Sequence, residues 1–127
     1  MTLSIRLGLE DGIIVARCTG ALGMKDAQET APLIWNREDF AGLPIVWDFR
    51  EATLDVQPKD VRELAQFILS RQPTPPPRVG LVISRDVDYG FSRMFEVFRE
   101  DASTEVRTFR DFDEALLWAR SEQAPAP

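Results

Sequence analysis

Leu3, Ile5, Leu7 and Leu9 alternate with Ser4, Arg6 and Gly8, a period of two that predicts a strand with one buried face. Asp11-Gly12 follows, a pair suited to the two positive-φ positions of a tight hairpin turn, and Ile13 to Thr19 is the expected return strand. With Asp11-Gly12 as the whole loop, facing residues have numbers that sum to 23. Leu9 then meets Ile14, Leu7 meets Ala16 and Ile5 meets Cys18, so each core-facing pair is apolar. The other face sets Arg6 against Arg17, a like-charge pair that marks a wet surface.

Beyond the hairpin the pattern changes period. Gly20 to Gly23 reads as a break, and Met24 to Arg37 as a helix through Met24, Ala27, Ala31 and Ile34 or Trp35, kinked or split by Pro32. Ile45-Val46-Trp47-Asp48-Phe49 is a short, mostly apolar run of the kind found in buried strands, with 50–57 as the loop after it. Pro58 suits the first turn of a helix, and Val61, Leu64, Ala65, Ile68 and Leu69 recur at helical spacing. A proline-stiffened connector, Gln72 to Pro77, precedes another buried strand at Val79 to Ile83. It reads as a rigid surface loop, with a polyproline recognition peptide as the sharper alternative. Tyr89 to Arg99 is a helix whose Phe91, Met94, Phe95 and Phe98 share a face, and Glu105 to Phe109 is the last strand. Asp111-Phe112-Asp113-Glu114 resembles a capping box opening a final helix with Ala115, Leu116, Trp118 and Ala119. A hairpin followed by alternating helices and strands predicts an α/β fold with a sheet of about five strands, four of them parallel.

Composition narrows the chemistry. A chain of 127 residues, 44% hydrophobic and 28% charged, fits one globular domain that needs neither disulfide nor metal to fold. A net charge of −6 opposes nucleic acid and anionic membranes, and no apolar run reaches the length of a membrane span. The single cysteine, Cys18, and an N-terminus without a signal-peptide pattern lead to a cytoplasmic expectation. Histidine is absent, which removes Ser-His-Asp and Cys-His catalysis, histidine-bearing zinc sites and histidine proton shuttles. Cys18 alternates inward with Ile14 and Ala16 and reads as an inert buried thiol. No catalytic residue, metal ligand or cofactor motif is assigned, and no phosphate-cradling glycine loop occurs.

The hairpin ending in Thr19-Gly20, the strand Val46-Trp47-Asp48-Phe49, the stretch Tyr89 to Glu96 and the ending Val106 to Trp118 together resemble the SpoIIAA-like family of the STAS (anti-anti-sigma-factor) superfamily, which is grouped with SEC14-like folds. The resemblance implies a single domain over 1–122 with a disordered tail at 123–127, and a non-catalytic binding or regulatory protein-interaction module. The SEC14-like grouping implies instead a carrier of a small apolar or anionic ligand. Regulatory members carry a phosphorylatable serine just after an aspartate, at the start of the helix that follows the central strand. Here Val56 follows Asp55 at that place, and Thr53 has the wrong spacing, so the resemblance comes without the usual phosphoacceptor.

In open parallel sheets ligands gather beyond the carboxyl ends of the strands. Arg50, Arg85 and Arg110 each follow a predicted strand, and Arg93 lies one turn beyond Tyr89 at the start of a helix. With Asp48, these residues form the candidate ligand or partner edge, since guanidinium forks grip carboxylate or phosphate with two bonds. Asp48, Asp86, Asp88 and Asp111 stand beside the arginines, and the bland reading is ordinary ion pairs and caps. The Phe91–Phe98 stripe and Trp118 read first as core, and otherwise as the wall of an apolar pocket or a homodimer interface. The acidic pairs Glu38-Asp39 and Glu100-Asp101 read as solvated or capping groups. The partner expected from this edge is a protein or a small anionic or apolar ligand.

Overall fold

The computed structural model describes residues 4–99 and 104–120; the expected tail at 123–127 and the pair Glu100-Asp101 lie outside them. The hairpin is formed by β1 (Ser4–Glu10) and β2 (Ile13–Gly23), paired antiparallel with Glu10 opposite Ile13, Leu7 opposite Ala16 and Arg6 opposite Arg17. Asp11 and Gly12 take φ values of 53° and 77°, a left-handed turn that aspartate tolerates and that glycine, lacking a Cβ, adopts freely. There follow α1 (Met24–Trp35), β3 (Ile45–Asp55), α2 (Pro58–Arg71), β4 (Arg78–Val82), α3 (Asp86–Arg99), β5 (Glu105–Phe109) and α4 (Phe112–Arg120), with a short 3-10 turn at Glu38–Phe40. The sheet runs in chain order, β1-β2-β3-β4-β5, with β2 to β5 parallel.

Each parallel connection steps the sheet in the same direction, and crossovers of one hand then deliver their helices to one face. Ile14, Ala16, Cys18, Ile45, Phe49, Leu81 and Ile83 form the core on that side, with Ile34 from α1, Leu64 from α2 and Phe95 from α3 packed against them. Among the described residues the opposite face carries only α4. Phe112, Ala115 and Ala119 cover Ile13, Val15, Val46 and Val82 there. β2 is therefore buried on both faces along its first half, whereas one buried face is all its alternation announces. Leu9, expected inside, is 53% exposed, because edge strand β1 runs past the cover of the helices near its turn.

Two further expectations need correction. Gly20 to Gly23 does not break β2, and 50–57 is not a loop, because β2 and β3 run on together through Gly23 and Asp55. Ala52, Leu54 and Val56 alternate with Glu51, Thr53 and Asp55, which is strand periodicity obscured by its charges. Gly20 sits at φ 99°, where a side chain would strain the ribbon. β4 ends level with Asp48, so the β2–β3 ribbon projects beyond the rest of the sheet. α1 continues through Pro32 without splitting and ends at Trp35, not Arg37, and α3 begins at Asp86, a turn earlier than its apolar stripe suggests. The helix starts are held by acids: Asp26 accepts the Gly23 N–H at 3.0 Å, Asp60 that of Gln57 at 2.9 Å and Asp111 that of Glu114 at 3.0 Å.

Candidate functional site

Asp48 stands where the sheet loses its register. Arg17 pairs with Asp48 but Thr19 pairs with Glu51, so Phe49 and Arg50 together stand opposite Cys18 and β3 bulges. The bulge sends Phe49 into the helix-covered core and folds Arg50 back over Asp48. The Asp48 carboxylate accepts three bonds from that one residue: the backbone N–H at 3.1 Å, Nε at 2.9 Å and Nη2 at 2.8 Å. Burial alone would push Asp48 upward. The Arg50 bonds, aided by the charge of Arg17, outweigh that and hold it below the usual carboxylate range.

From Arg50 a chain of contacts crosses the strand ends. Ser84, just past β4, donates its hydroxyl to the Arg50 carbonyl at 3.0 Å. The Ser84 carbonyl accepts Arg110 Nη1 at 3.3 Å, and Arg110 Nη2 meets Asp86 at 2.6 Å. The Arg110 guanidinium lies 4.6 Å from the ring centre of Tyr89. Asp48, Arg50, Tyr89 and Arg110 thus form one connected edge over the ends of β4 and β5 and the middle of β3; Arg50, expected just past a strand, lies within one because β3 continues to Asp55. Arg85 meets it through the backbone, its carbonyl accepting the Tyr89 N–H at 2.9 Å, while its side chain reaches Asp88 at 3.9 Å. Arg93 stands apart, two turns along α3, paired with Glu96 at 3.9 Å. Each of the four arginines has an acidic neighbour while remaining 41–62% exposed. Ser84, which ties Arg50 to Arg110, and Val87, 53% exposed beside them, were not singled out from the sequence. A serine in a loop and a valine in the first turn of a helix carry no signal of their own.

Asp88 is the other buried acid of this region, 2% exposed. Its Oδ1 is without a hydrogen-bond partner, and burial pushes its carboxyl up, opposed by Arg85 and by the N–H of Leu54 on the ribbon. Behind it lies an apolar cavity of about 110 Å³, walled by Leu22 and Leu54 of the ribbon, Val61 and Leu64 of α2 and Phe91 and Phe95 of α3. A smaller cavity of about 70 Å³ adjoins it at Ala31, Trp47, Ile68 and Phe95. Val56 lies half-buried in the wall of the first. Cys18 is buried under the sheet, and burial, then the nearby Asp48 charge, push its thiol up to about 12, so it stays protonated at neutral pH.

No helix among the described residues is long and apolar enough to cross a membrane. No family model and no curated protein matches the chain. Solved structures do. One similar structure is an uncharacterized protein from the DUF3478 family with a SpoIIAA-like fold, from Shewanella loihica PV-4. It is 16% identical with a TM-score of 0.59, and the match covers 92% of this chain and 93% of that one. Another is the anti-sigma factor antagonist SpoIIAA in its unphosphorylated form, 14% identical with a TM-score of 0.51, over 93% of this chain and 99% of that one. The hairpin, the sheet in chain order and the helices divided three to one are the architecture of a SpoIIAA-like fold, which this chain adopts.

Proposed function

We propose that the chain is a cytoplasmic, non-catalytic binding module of the STAS type that docks a protein partner on the edge made by Asp48, Arg50, Arg85, Tyr89 and Arg110, with Arg93 as an outlying contact further along α3. The observation that carries this reading is the network Asp48–Arg50–Ser84–Arg110–Asp86, which ties the bulge of β3 to the ends of β4 and β5 while leaving its guanidiniums half exposed. Ordered, half-exposed charges suit recognition, because a partner meets a pattern that is already in place. Val56 at the place of the usual phosphoacceptor means that this docking is not switched by phosphorylation there.

Partners captured from host extract on the immobilised chain are to be compared with those held by Arg85→Gln with Arg110→Gln. Arg50 is left intact in this test because it holds a buried carboxylate. The double variant is expected to lose roughly 1–3 kcal/mol of affinity for a purified partner, the scale of lost charge-assisted bonds. Unchanged affinity would sink the edge as the docking site. The paired apolar cavities favour a second reading, carriage of a small apolar ligand, as in the SEC14-like grouping. Native mass spectrometry separates the two: a defined co-purified molecule, lost on Leu64→Trp, belongs to the carrier.

A further inference from the structure

The face of the sheet that α4 leaves open carries a pattern the docking edge does not use. Register places Arg6, Arg17 and Asp48 in one row across β1, β2 and β3, and Ser4, Thr19 and Glu51 in the next. A like-charge pair directly across two strands opposes pairing. No acid forms an ion pair with Arg6 or Arg17 among the described residues. Asp48, the carboxylate nearest to Arg17 in register, is taken by three bonds from Arg50. Arg17 and Arg50 are nonetheless held in place, their guanidiniums 4.9 and 5.0 Å from the centre of one ring, Phe112 at the start of α4. The three arginines, two hydroxyls and two acids line a polar cleft of about 290 Å³. A second hollow of about 250 Å³ continues from Arg6 and Arg17 over Gly8, where a Cβ would meet nothing within 4 Å.

We propose that this cleft binds the phosphate group of a small phosphorylated molecule, held between Arg6 and Arg17. The donors come from separate strands and converge from several sides: guanidinium forks from β1 and β2, hydroxyls of Ser4 and Thr19, and the Nη1 end of Arg50, which its bonds to Asp48 leave unused. Donors spread in this way suit a tetrahedral dianion, whose oxygens point in different directions, better than a flat carboxylate. A bound dianion also relieves the repulsion between Arg6 and Arg17. The acids Asp48 and Glu51 set the selectivity: Asp48 is neutralised by Arg50, and Glu51 on the rim disfavours a ligand with further negative charge beyond its phosphate. The hollow over Gly8 and Val15 leaves room for the rest of the molecule.

The cleft shares Asp48 and Arg50 with the docking edge but rests on Arg6 and Arg17, and its test leaves every edge residue intact. Inorganic phosphate and glycerol phosphate are titrated at low ionic strength into the 15N-labelled full chain, following backbone amides and arginine Nε–H signals. Saturable shifts are expected at Arg6 and Arg17 and not at Arg62 on α2, with glycerol phosphate also moving the amides of Gly8 and Val15. Arg17→Gln and Arg6→Gln should each weaken binding at least about tenfold, and Arg62→Gln should leave it unchanged; the spectra themselves report whether each variant is folded. Arg17→Lys, which keeps the charge and loses the fork, is expected to bind more weakly than the parent. Shifts that do not saturate, that are as large at Arg62, or that survive in the Arg6→Gln, Arg17→Gln double variant overturn the site. Acetate binding as tightly as phosphate overturns the phosphate class.

Discussion

Asp48 and Asp88 lie at comparable depth, 6% and 2% exposed, yet their environments drive them in opposite directions. Asp48 sits on a strand whose bulge brings a backbone N–H and a whole guanidinium fork from two residues away. Asp88 sits in the first turn of α3, where the ribbon offers it one N–H, Arg85 stands at 3.9 Å, and Oδ1 is left without a partner. Depth alone does not decide what a buried carboxylate does to a protein. What decides it is the number of donors the local backbone brings within reach. Asp48 is a clamp that fastens β3 to its own bulge, whereas Asp88 is held at a cost in the neutral-pH protein.

The comparison breaks most visibly at Arg50. Arg50→Ala leaves Asp48 buried without its fork, and unfolding in urea should show a loss of about 2–3 kcal/mol, the cost of a stranded buried charge. A loss no larger than that of Arg110→Ala, whose partner Asp86 is 94% exposed, would mean that Asp48 is not a clamp. Acid is the next test. Because Asp48 is held below its ordinary value, its contribution is complete above roughly pH 4 and is lost as pH falls through the lowered value. Asp48→Asn should therefore lower the melting temperature at pH 7 and converge on the parent in strong acid. Asp88 has the opposite sign: its raised value means that stability declines as pH climbs through the carboxylate range and beyond it to that value. Asp88→Asn keeps an oxygen for the Leu54 N–H and should raise the melting temperature slightly at pH 7, with the gain vanishing below about pH 4. An offset that is the same at both pH values would show that the orphaned oxygen, not the charge, is what matters at Asp88.

Much of the fold was legible because its signals are local. The Asp11-Gly12 turn fixes the hairpin register, and apolar runs at Ile45–Phe49 and Val79–Ile83 mark the inner strands. The projecting ribbon was hidden because Glu51, Thr53 and Asp55 on its outer side make a paired strand look like a loop. The candidate edge was legible only as a set of arginines following strands. The local pairs Arg50–Asp48 and Arg85–Asp88 follow from aspartates two and three residues away, whereas Arg93 pairs with Glu96 and Arg110 reaches Asp86 across 24 residues of chain. The link through Ser84 is a long-range hydrogen bond with no sequence signature. Asp88 reads from the sequence as one of four acids beside the arginines, with nothing to mark it as buried under the ribbon.

The sheet order β1-β2-β3-β4-β5 has a consequence for how the molecule is made. On the ribosome, each strand leaves the exit tunnel to find its neighbour already synthesised, and no strand has to wait for one encoded later. Contacts close over short stretches of chain, which favours rapid, stepwise growth of the sheet from its hairpin. One surface is the exception. Ile13, Val15, Val46 and Val82 stay uncovered until α4 emerges, so the nascent domain carries a sticky stripe through most of its synthesis. Stalled chains that end before Phe112 should bind a hydrophobic dye or a holdase chaperone, and chains that include Arg120 should release it.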